Sequence, residues 1–188
     1  MSDLLERYLD ELQAWGARMN LVGSTARDDL RVHLDDALAA AAALPEEARV
    51  VDLGSGAGLP GIPIAIARPD LELTLVEIRE RRVHFLRHVA RRLSLDLTIE
   101  RTRIEDPPAR GFDFALARAV LPLREILPLA ARWVQKRGED GRDGEVWVWT
   151  RETPATAGVP EASVLPLSGG RGGILRAPAA AVSRGTLD

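Results

Sequence analysis

The sequence contains no cysteine, a single lysine and few aromatic residues. Without cysteine the chain forms no disulfide, binds no metal or iron–sulfur cluster through thiolates, and carries no cysteine nucleophile. It has no stretch of about 18 apolar residues, so the sequence predicts no transmembrane helix. The first ten residues, MSDLLERYLD, alternate charged residues with leucine and lack the basic start and apolar centre of a secretory signal. We therefore expect a protein of the cytoplasm that does not associate with membranes.

The length and composition are those of one globular domain. A chain of 188 residues is close to the usual size of a domain, and the hydrophobic fraction of 46% supports one sizeable core. We predict a single domain over residues 1–188. It comprises an N-terminal helical cap (1–48), a central core (49–150), and C-terminal edge strands with a loose tail (151–188).

The cap is predicted from two stretches of helical periodicity. Ser2 is placed to cap the first helix, whose apolar residues recur every three or four positions on one face. This face comprises Leu4, Leu5, Tyr8, Leu9, Leu12 and Trp15. The second helix is predicted over residues 28–43, with an inward face of Leu30, Leu34, Ala37, Leu38 and Ala41.

Strand and helix patterns alternate through the core. Predicted strands cover residues 50–53, 71–77, 97–100, 112–117 and 146–149, and predicted helices cover 79–93 and 123–134. This alternation predicts an α/β fold with a parallel sheet covered by helices on both faces. Beyond residue 150, frequent proline and glycine leave room for one or two edge strands, and we expect a loose end after Pro178.

A glycine-rich segment, D-L-G-S-G-A-G-L-P-G, follows the first predicted strand and opens a helix. Turns of this kind bind ligands at the carboxyl ends of strands in α/β sheets. Gly54 and Gly56 carry no side chain, so the backbone can approach a ligand closely. Glu77 stands at the end of the second predicted strand, where its carboxylate can accept hydrogen bonds from both ribose hydroxyls of an adenosine.

Two ligand classes share this geometry. Read from Gly56, the segment matches G-x-G-x-x-G, the dinucleotide fingerprint, in which a pyrophosphate lies at a helix N-terminus. Read from Asp52, it matches D-x-G-x-G-x-G, which is typical of S-adenosylmethionine-dependent methyltransferases. The negative charge of Asp52 favours a cationic sulfonium and an α-amino group and repels a pyrophosphate. The loop therefore favours adenosylmethionine, while a dinucleotide site and a purely structural turn remain open.

Charge is distributed unevenly along the chain. The net charge of −3 is not that of a strongly basic nucleic-acid binder, and residues 1–48 carry ten acidic residues against four arginines. Residues 79–103 carry eight arginines against three acidic residues. This basic segment is either a solvated helix surface or an interaction face. The candidate phosphate contacts on its helix are Arg79, Arg81, Arg82, Arg87, Arg91 and Arg92, and we expect Arg81 and Arg82 to lie outside the adenosine pocket.

Several segments occur in the order found in one known family. They are Trp15 with Met19-Asn20-Leu21, Arg31–Asp36, Gly54–Pro63, Arg81–Leu86, Arg103–Glu105, and Phe112-Asp113 with Arg118-Ala119. On these motifs the chain resembles the small-subunit ribosomal RNA methyltransferase G family, formerly called glucose-inhibited division protein B. The resemblance covers roughly residues 12–150. Thr150 and Arg151 depart from it, because the family has a Lys-Gly pair there.

The resemblance implies the Rossmann-like fold of class I S-adenosylmethionine-dependent methyltransferases, with residues 49–150 as the cofactor-binding core. It also implies that Gly54 and Leu59 line the methionine and adenosine part of the cofactor. The predicted cofactor-binding residues, taken from the loop and the resemblance together, are Gly54, Gly56, Leu59, Glu77, Ile104, Glu105 and Arg118. Of these, Ile104 and Glu105 would flank the adenine, and Arg118 would close the site.

The resemblance further implies methylation of a guanine N7 in 16S ribosomal RNA, with that RNA or the small ribosomal subunit as partner and a monomeric enzyme. Guanine N7 exposes a lone pair, so it must be placed in line with the methyl–sulfur bond but need not be deprotonated. We therefore predict no general base among the residues. A methyltransferase with another substrate, a nicotinamide-dependent oxidoreductase and a non-catalytic binding protein stay open as alternatives.

The histidines give no sign of a metal site. His84 and His88 are four residues apart on one predicted helix, a spacing that can bind metal, but the sequence shows no third ligand beside them. His33 lies among apolar residues of the second helix and is interpreted as a structural histidine. We predict no metal.

Overall fold

The computed structural model describes residues 2–19, 22–109, 111–135, 143–167 and 172–184. The elements in these ranges are α1 (Asp3–Met19), α2 (Arg27–Ala43), β1 (Arg49–Leu53), α3 (Gly61–Ala67), β2 (Glu72–Val76), α4 (Glu80–Leu93), β3 (Thr98–Glu100), β4 (Phe114–Ala117), α5 (Leu123–Ala131), β5 (Glu145–Thr150), β6 (Ser163–Pro166), β7 (Gly173–Pro178) and α6 (Ala179–Arg184). Asn20 and Leu21, which belong to the first motif of the family resemblance, lie outside the described residues.

The strands form one seven-stranded sheet in the order β3–β2–β1–β4–β5–β7–β6. Strands β1 to β5 are parallel, whereas β7 runs antiparallel to both β5 and β6. The chain extends the sheet in one direction from β1 to β3 and in the other direction from β4 onward. This reversal makes the boundary between β1 and β4 a topological switch point, with a crevice outside the carboxyl ends of the two strands.

Helices cover both faces of the sheet, as predicted. Because successive side chains of a buried strand point to opposite faces, Val50 of β1 belongs to one core cluster and Val51 and Leu53 belong to the other. Helices α1 to α4 pack into the first cluster, and α5 and α6 pack into the second. Among the described residues, no helix is both long and apolar enough to cross a lipid bilayer.

The N-terminal helices follow the predicted pattern. The Leu5 N–H donates to Ser2 Oγ at 3.4 Å, so Ser2 caps α1 as predicted. Leu9 and Leu12 are fully buried, and α1 packs against α2, α3 and α4. The cap therefore lies on the face of the sheet that also carries α3 and α4.

Two predicted boundaries are wrong. Helix α5 ends at Ala131 rather than Val134, because the chain turns there and Val134 forms an isolated parallel bridge with Phe112. The loose end expected after Pro178 is instead the start of α6. Its first four residues are three alanines and a valine, and Ala179, Ala181 and Val182 are buried in the core cluster of α5. Tertiary burial therefore stabilises a helix that is too short to form alone.

Gly61, the first residue of α3, marks where this helix lies closest to the sheet. A β-carbon there would lie 2.7 Å from Asp52 Oδ2 and would overlap Leu75 Cδ2, and both neighbours are buried. The Gly61→Ala substitution should therefore lower the free energy of unfolding by about 1–3 kcal/mol, measured by urea denaturation. Gly23 is the matched control, since nothing lies within 4 Å of its β-carbon position. Equal effects of Gly61→Ala and Gly23→Ala would contradict this packing.

Candidate functional site

The loop between β1 and α3 is fastened to the end of β2. The Ser55 N–H donates to the Val76 carbonyl at 2.9 Å, and the Gly58 N–H donates to the Ser55 carbonyl at 2.7 Å. Gly56 has φ 57°, a left-handed conformation that glycine adopts without steric cost. The predicted glycine loop is therefore a compact turn at the carboxyl edge of the sheet.

Glu77 joins this loop to the segment that follows β2. The residue is only 4% exposed. Oε2 accepts a hydrogen bond from the Gly56 N–H at 3.1 Å, and Oε1 accepts one from the Arg79 N–H at 2.8 Å. The two residues that the sequence proposes as the centre of a nucleoside site are therefore in direct contact.

Asp52 lies beneath the loop and is 1% exposed. Its Oδ2 accepts a hydrogen bond from the Gly61 N–H at 3.1 Å. Burial raises its pKa to about 7, although the Gly61 N–H, the Ser55 hydroxyl and Arg118 act in the opposite direction. The carboxyl group thus fixes the start of α3 and titrates close to neutral pH.

The first N–H groups of α3 all have partners within the protein. Asp52 takes that of Gly61, and the Gly58 carbonyl accepts the Ile62 N–H at 2.7 Å. Pro63 has no N–H, and the Ile64 N–H donates to the Pro60 carbonyl at 3.3 Å. The helix start therefore presents no free donor, among these groups, of the kind that holds a pyrophosphate in a dinucleotide site.

A second wall of the site comes from the segment after β4. Val120 side-chain atoms lie 2.8 Å from the position that a β-carbon of Gly54 would occupy. Next to this contact, at the carboxyl ends of β4 and β5, is a cavity of about 150 Å³. It is lined by Ala117, Ala119, Val120, Leu121, Leu123, Ile126, Val148, Trp149, Thr150 and Glu152.

Arg118 is held by α2 rather than by the sheet. Its guanidinium donates to His33 Nδ1 and, at 3.5 Å, to the His33 backbone carbonyl. Asp36 Oδ2 lies 3.6 Å from the same guanidinium. Burial lowers the pKa of Arg118, whereas the carboxylates of Asp36 and Asp52 raise it. His33 therefore acts as a structural histidine whose partner is a predicted site residue.

No described hydrogen bond joins Glu77 to the remaining predicted site residues Leu59, Ile104 and Glu105. Leu59 is partly buried in the glycine loop. Ile104 follows β3, packs on the core, and accepts the Trp133 indole N–H through its carbonyl at 2.6 Å. Glu105 is exposed, with its carboxylate 3.6 Å from Arg103 Nε. Their roles toward a ligand stay predictions.

Tyr8 is a site residue that sequence reasoning missed. It belongs to the apolar face of α1, yet its hydroxyl donates to the Ala57 carbonyl in the glycine loop at 2.8 Å. A tyrosine at helical spacing looks like any other core residue, and its partner is 49 positions away in the chain. A buried tyrosine hydroxyl usually has a hydrogen-bond partner, and this general rule was the only indication of the contact.

The place of Arg82 outside the adenosine pocket stays a prediction, but its side chain contacts Glu77. Its Nη1 is 3.5 Å from Glu77 Oε2, and Arg82 lies in the first turn of α4. Other arginines of the basic helix are exposed and have no described ion-pair partner; these are Arg79, Arg81, Arg87 and Arg91. Arg92 instead pairs with Glu11 of α1 at 3.4 Å.

The two histidines of α4 do not act together. His88 Nε2 lies 2.9 Å from Glu11 Oε2, and its ring lies 5.2 Å from that of Trp15. His84 is exposed. Within the described ranges, no three histidine, aspartate or glutamate side chains are grouped as metal ligands.

The titration of Asp52 makes stability depend on pH. Between about pH 4 and pH 7 the folded protein retains a proton on Asp52 that the unfolded chain releases, so the wild type loses stability as the pH rises. Asp52→Asn removes this titration and retains an oxygen acceptor for the Gly61 N–H. The free energy of unfolding of the variant relative to the wild type should therefore rise by about 3–5 kcal/mol between pH 4 and pH 8. Urea denaturation across this range measures it, and a difference independent of pH would contradict the burial of a titrating carboxyl.

Two solved methyltransferase structures are similar in fold to this chain. The S-adenosylmethionine-dependent methyltransferase SibL matches with a TM-score of 0.63 and 16% identity over 94% of this chain and 69% of its own. The magnesium protoporphyrin IX methyltransferase ChlM of Synechocystis PCC 6803 matches with a TM-score of 0.59 and 15% identity over 94% of this chain and 96% of its own. The predicted fold, that of class I methyltransferases, is confirmed.

Sequence comparisons identify the family. Residues 1–140 match the family model of rRNA small subunit methyltransferase G. The ribosomal RNA small subunit methyltransferase G of Acidothermus cellulolyticus is 40% identical over 137 residues, which cover 72% of this chain and 61% of that protein. The protein of the same name from Mycobacterium marinum is 38% identical over 141 residues, covering 72% and 62%. The chain thus spans about 60% of the length of these relatives. The resemblance of its motifs is confirmed, and the chain belongs to the rRNA small subunit methyltransferase G family.

Proposed function

We propose that this chain binds S-adenosylmethionine and methylates N7 of a guanine in 16S ribosomal RNA, acting as a monomer in the cytoplasm. The observation that carries the proposal is the hydrogen bond from Gly56 of the glycine loop to the buried Glu77 carboxylate. The match of the chain to this family supports it. The small ribosomal subunit or its RNA is then the partner.

The residues present fit an adenosine ligand. Glu77 is the single carboxylate that contacts the Gly56 N–H in the loop, and its oxygens can accept hydrogen bonds from the two ribose hydroxyls. Ile78, next in the chain, is 48% exposed and offers an apolar surface to an adenine ring. Together with Ile104 and Glu105 on the neighbouring segment after β3, these residues would hold the nucleoside part of the cofactor.

The charge and hydrogen bonding of the loop favour adenosylmethionine over a dinucleotide. The buried carboxylate of Glu77 lies against the loop, where a pyrophosphate would meet unfavourable charge. In dinucleotide sites the N-terminus of the helix at this position binds the pyrophosphate. Here the Gly61 N–H at the start of α3 already donates to Asp52. The cationic cofactor fits both features.

Gly54 and the β4–α5 segment would place the acceptor base beside the cofactor. The cavity lined by Val120, Trp149 and Glu152 adjoins the loop through the contact of Val120 with Gly54. When bound, S-adenosylmethionine supplies a methyl group whose bond to sulfur breaks as guanine N7 forms its bond to carbon, leaving S-adenosylhomocysteine and cationic 7-methylguanine. The protein's task is therefore to align the base and exclude water rather than to remove a proton.

Among the described residues that line this cavity, Glu152 is the only ionisable one. A carboxylate accepts hydrogen bonds from the N1–H and the amino group of guanine, which lie on the edge opposite N7. A guanine held in this way presents N7 away from Glu152. Thr150 and Arg151, where the chain departs from the family pattern, lie directly before this residue.

The proposal is tested by incubating the purified protein with methyl-labelled S-adenosylmethionine and small ribosomal subunits from cells that lack it. Mass spectrometry of the RNA nucleosides should find the label in 7-methylguanosine. A label in another nucleoside would indicate a methyltransferase with a different target. Calorimetric titration that shows binding of NAD but not of S-adenosylhomocysteine would indicate a dinucleotide enzyme, and binding without transfer would indicate a non-catalytic relative.

Glu77→Gln should weaken the binding of S-adenosylhomocysteine and raise its dissociation constant by at least about tenfold. Hydrogen bonds to a charged acceptor contribute roughly 1.5–3 kcal/mol, and 1.4 kcal/mol corresponds to a factor of ten in the dissociation constant. Calorimetric titration measures the change. Glu72→Gln is the matched control, since Glu72 begins the strand after which Glu77 follows, is exposed, and pairs its carboxylate with Arg49 at 3.4 Å. Unchanged affinity in the Glu77 variant would mean that the ribose is held elsewhere.

The basic face of α4, defined by Arg79, Arg81, Arg87 and Arg91, is the proposed contact with RNA phosphates. Arginine contacts make RNA binding fall with salt, with a log–log slope of about −0.7 per contact for single strands. The double variant Arg81→Gln with Arg87→Gln should therefore bind ribosomal RNA more weakly and flatten this slope by one to two units, measured by filter binding. Arg82 is left intact because it contacts Glu77.

The matched control carries the same loss of charge on the opposite face of the sheet. Arg124 of α5 and Arg132 after it are exposed, and α5 packs into the core cluster remote from α4. Arg124→Gln with Arg132→Gln should leave the salt slope close to that of the wild type. If both double variants change the slope equally, RNA binding reflects total charge and not the basic face.

A further inference from the structure

Tyr8 ties the N-terminal helix to the centre of the glycine loop. Its side chain is fully buried, and its hydroxyl donates to the Ala57 carbonyl at 2.8 Å. Ala57 lies between Gly56 and Gly58, which both have positive φ angles. The contact therefore holds a residue that lies between two glycines in left-handed conformations.

The phenol is a neutral donor in this position. Burial raises the pKa of Tyr8 well above its ordinary value, the charge of Asp52 raises it further, and Arg118 acts in the opposite direction. The Ala57 carbonyl therefore accepts its hydrogen bond from an uncharged hydroxyl.

Helix α1 also contacts α4, the helix whose first turn lies beside Glu77. Glu11 lies one turn after Tyr8, and its carboxylate pairs with His88 at 2.9 Å and with Arg92 at 3.4 Å, both on α4. The first turn of α4 carries Arg82, which lies 3.5 Å from Glu77. Helix α1 therefore contacts both the glycine loop, through Tyr8, and α4, through Glu11.

We propose that Tyr8 is a positioning residue for the cofactor, because its bond to the Ala57 carbonyl holds the loop in the shape that presents the Gly56 N–H to Glu77. This inference rests on the proposed function, since it assigns Tyr8 to the same adenosylmethionine site. A loop already held in its binding shape loses less conformational entropy when the ligand arrives, so the hydroxyl contributes to affinity without touching the ligand.

Tyr8→Phe removes the hydroxyl and retains the ring. The dissociation constant of S-adenosylhomocysteine, measured by calorimetry, should rise about three- to tenfold, which is the effect of losing one neutral hydrogen bond. The KM for S-adenosylmethionine should rise by a similar factor, while kcat stays unchanged because Tyr8 touches no reacting atom. Amide hydrogen exchange of Gly58, whose N–H donates to Ser55, should also become faster in the free protein.

Leu12→Met is the matched control. Leu12 is buried one turn further along α1, and this exchange of similar volumes disturbs the packing without reaching the loop. It should lower the melting temperature but leave both affinity and loop exchange unchanged. The inference is overturned if Tyr8→Phe leaves affinity and Gly58 exchange at wild-type values, or if Leu12→Met changes them equally.

The exchange measurement separates this inference from the proposed function. If the wild-type protein does not bind S-adenosylhomocysteine, the proposed function fails, and the Gly58 exchange rate still reports whether Tyr8 holds the loop. If the wild type binds and Tyr8→Phe binds equally well, the function stands and the positioning role is overturned.

Discussion

The hydrogen bond from the Gly56 N–H to the Glu77 carboxylate joins the two strand ends on which the site depends. It follows from the pairing of β1 with β2, because Leu53 lies beside Val76 and the next residues of both strands leave the sheet at the same level. Asp52 holds the far end of the same loop through Gly61. Two buried carboxyl groups thus shape one turn. Glu77 accepts hydrogen bonds from two backbone N–H groups, whereas the one backbone N–H bonded to Asp52 offsets the cost of its burial only in part.

The N-terminal cap belongs to this site as much as to the core. Tyr8 of α1 reaches the loop, and His33 and Asp36 of α2 hold Arg118 at the end of β4. The cap therefore connects the loop after β1 with the segment after β4 across the topological switch point. Loss of the Tyr8 bond to the loop, or of the contacts of His33 and Asp36 with Arg118, is expected to alter the site although these cap residues lie on α1 and α2.

The sequence was sufficient for the sheet core, the glycine loop and Glu77, because apolar runs ending in glycine or acid mark buried strands that lead to a site. It was insufficient for Tyr8 and Arg82. Helical periodicity gives the face on which a residue lies but not the segment packed against that face, so Tyr8 was assigned to the core and Arg82 to the surface. Helix α6 was missed because its stability comes from burial against α5, which local composition after Pro178 does not reveal.

Glu77 and the glycine loop form the proposed nucleoside site. A crystal structure of the protein with S-adenosylhomocysteine tests this most directly. We predict that both ribose hydroxyls lie within hydrogen-bonding distance of the Glu77 carboxylate, with the adenine against Ile78 and the loop conformation retained. A ligand bound elsewhere, or a ribose turned away from a Glu77 that stays bonded only to Gly56 and Arg79, would contradict the account.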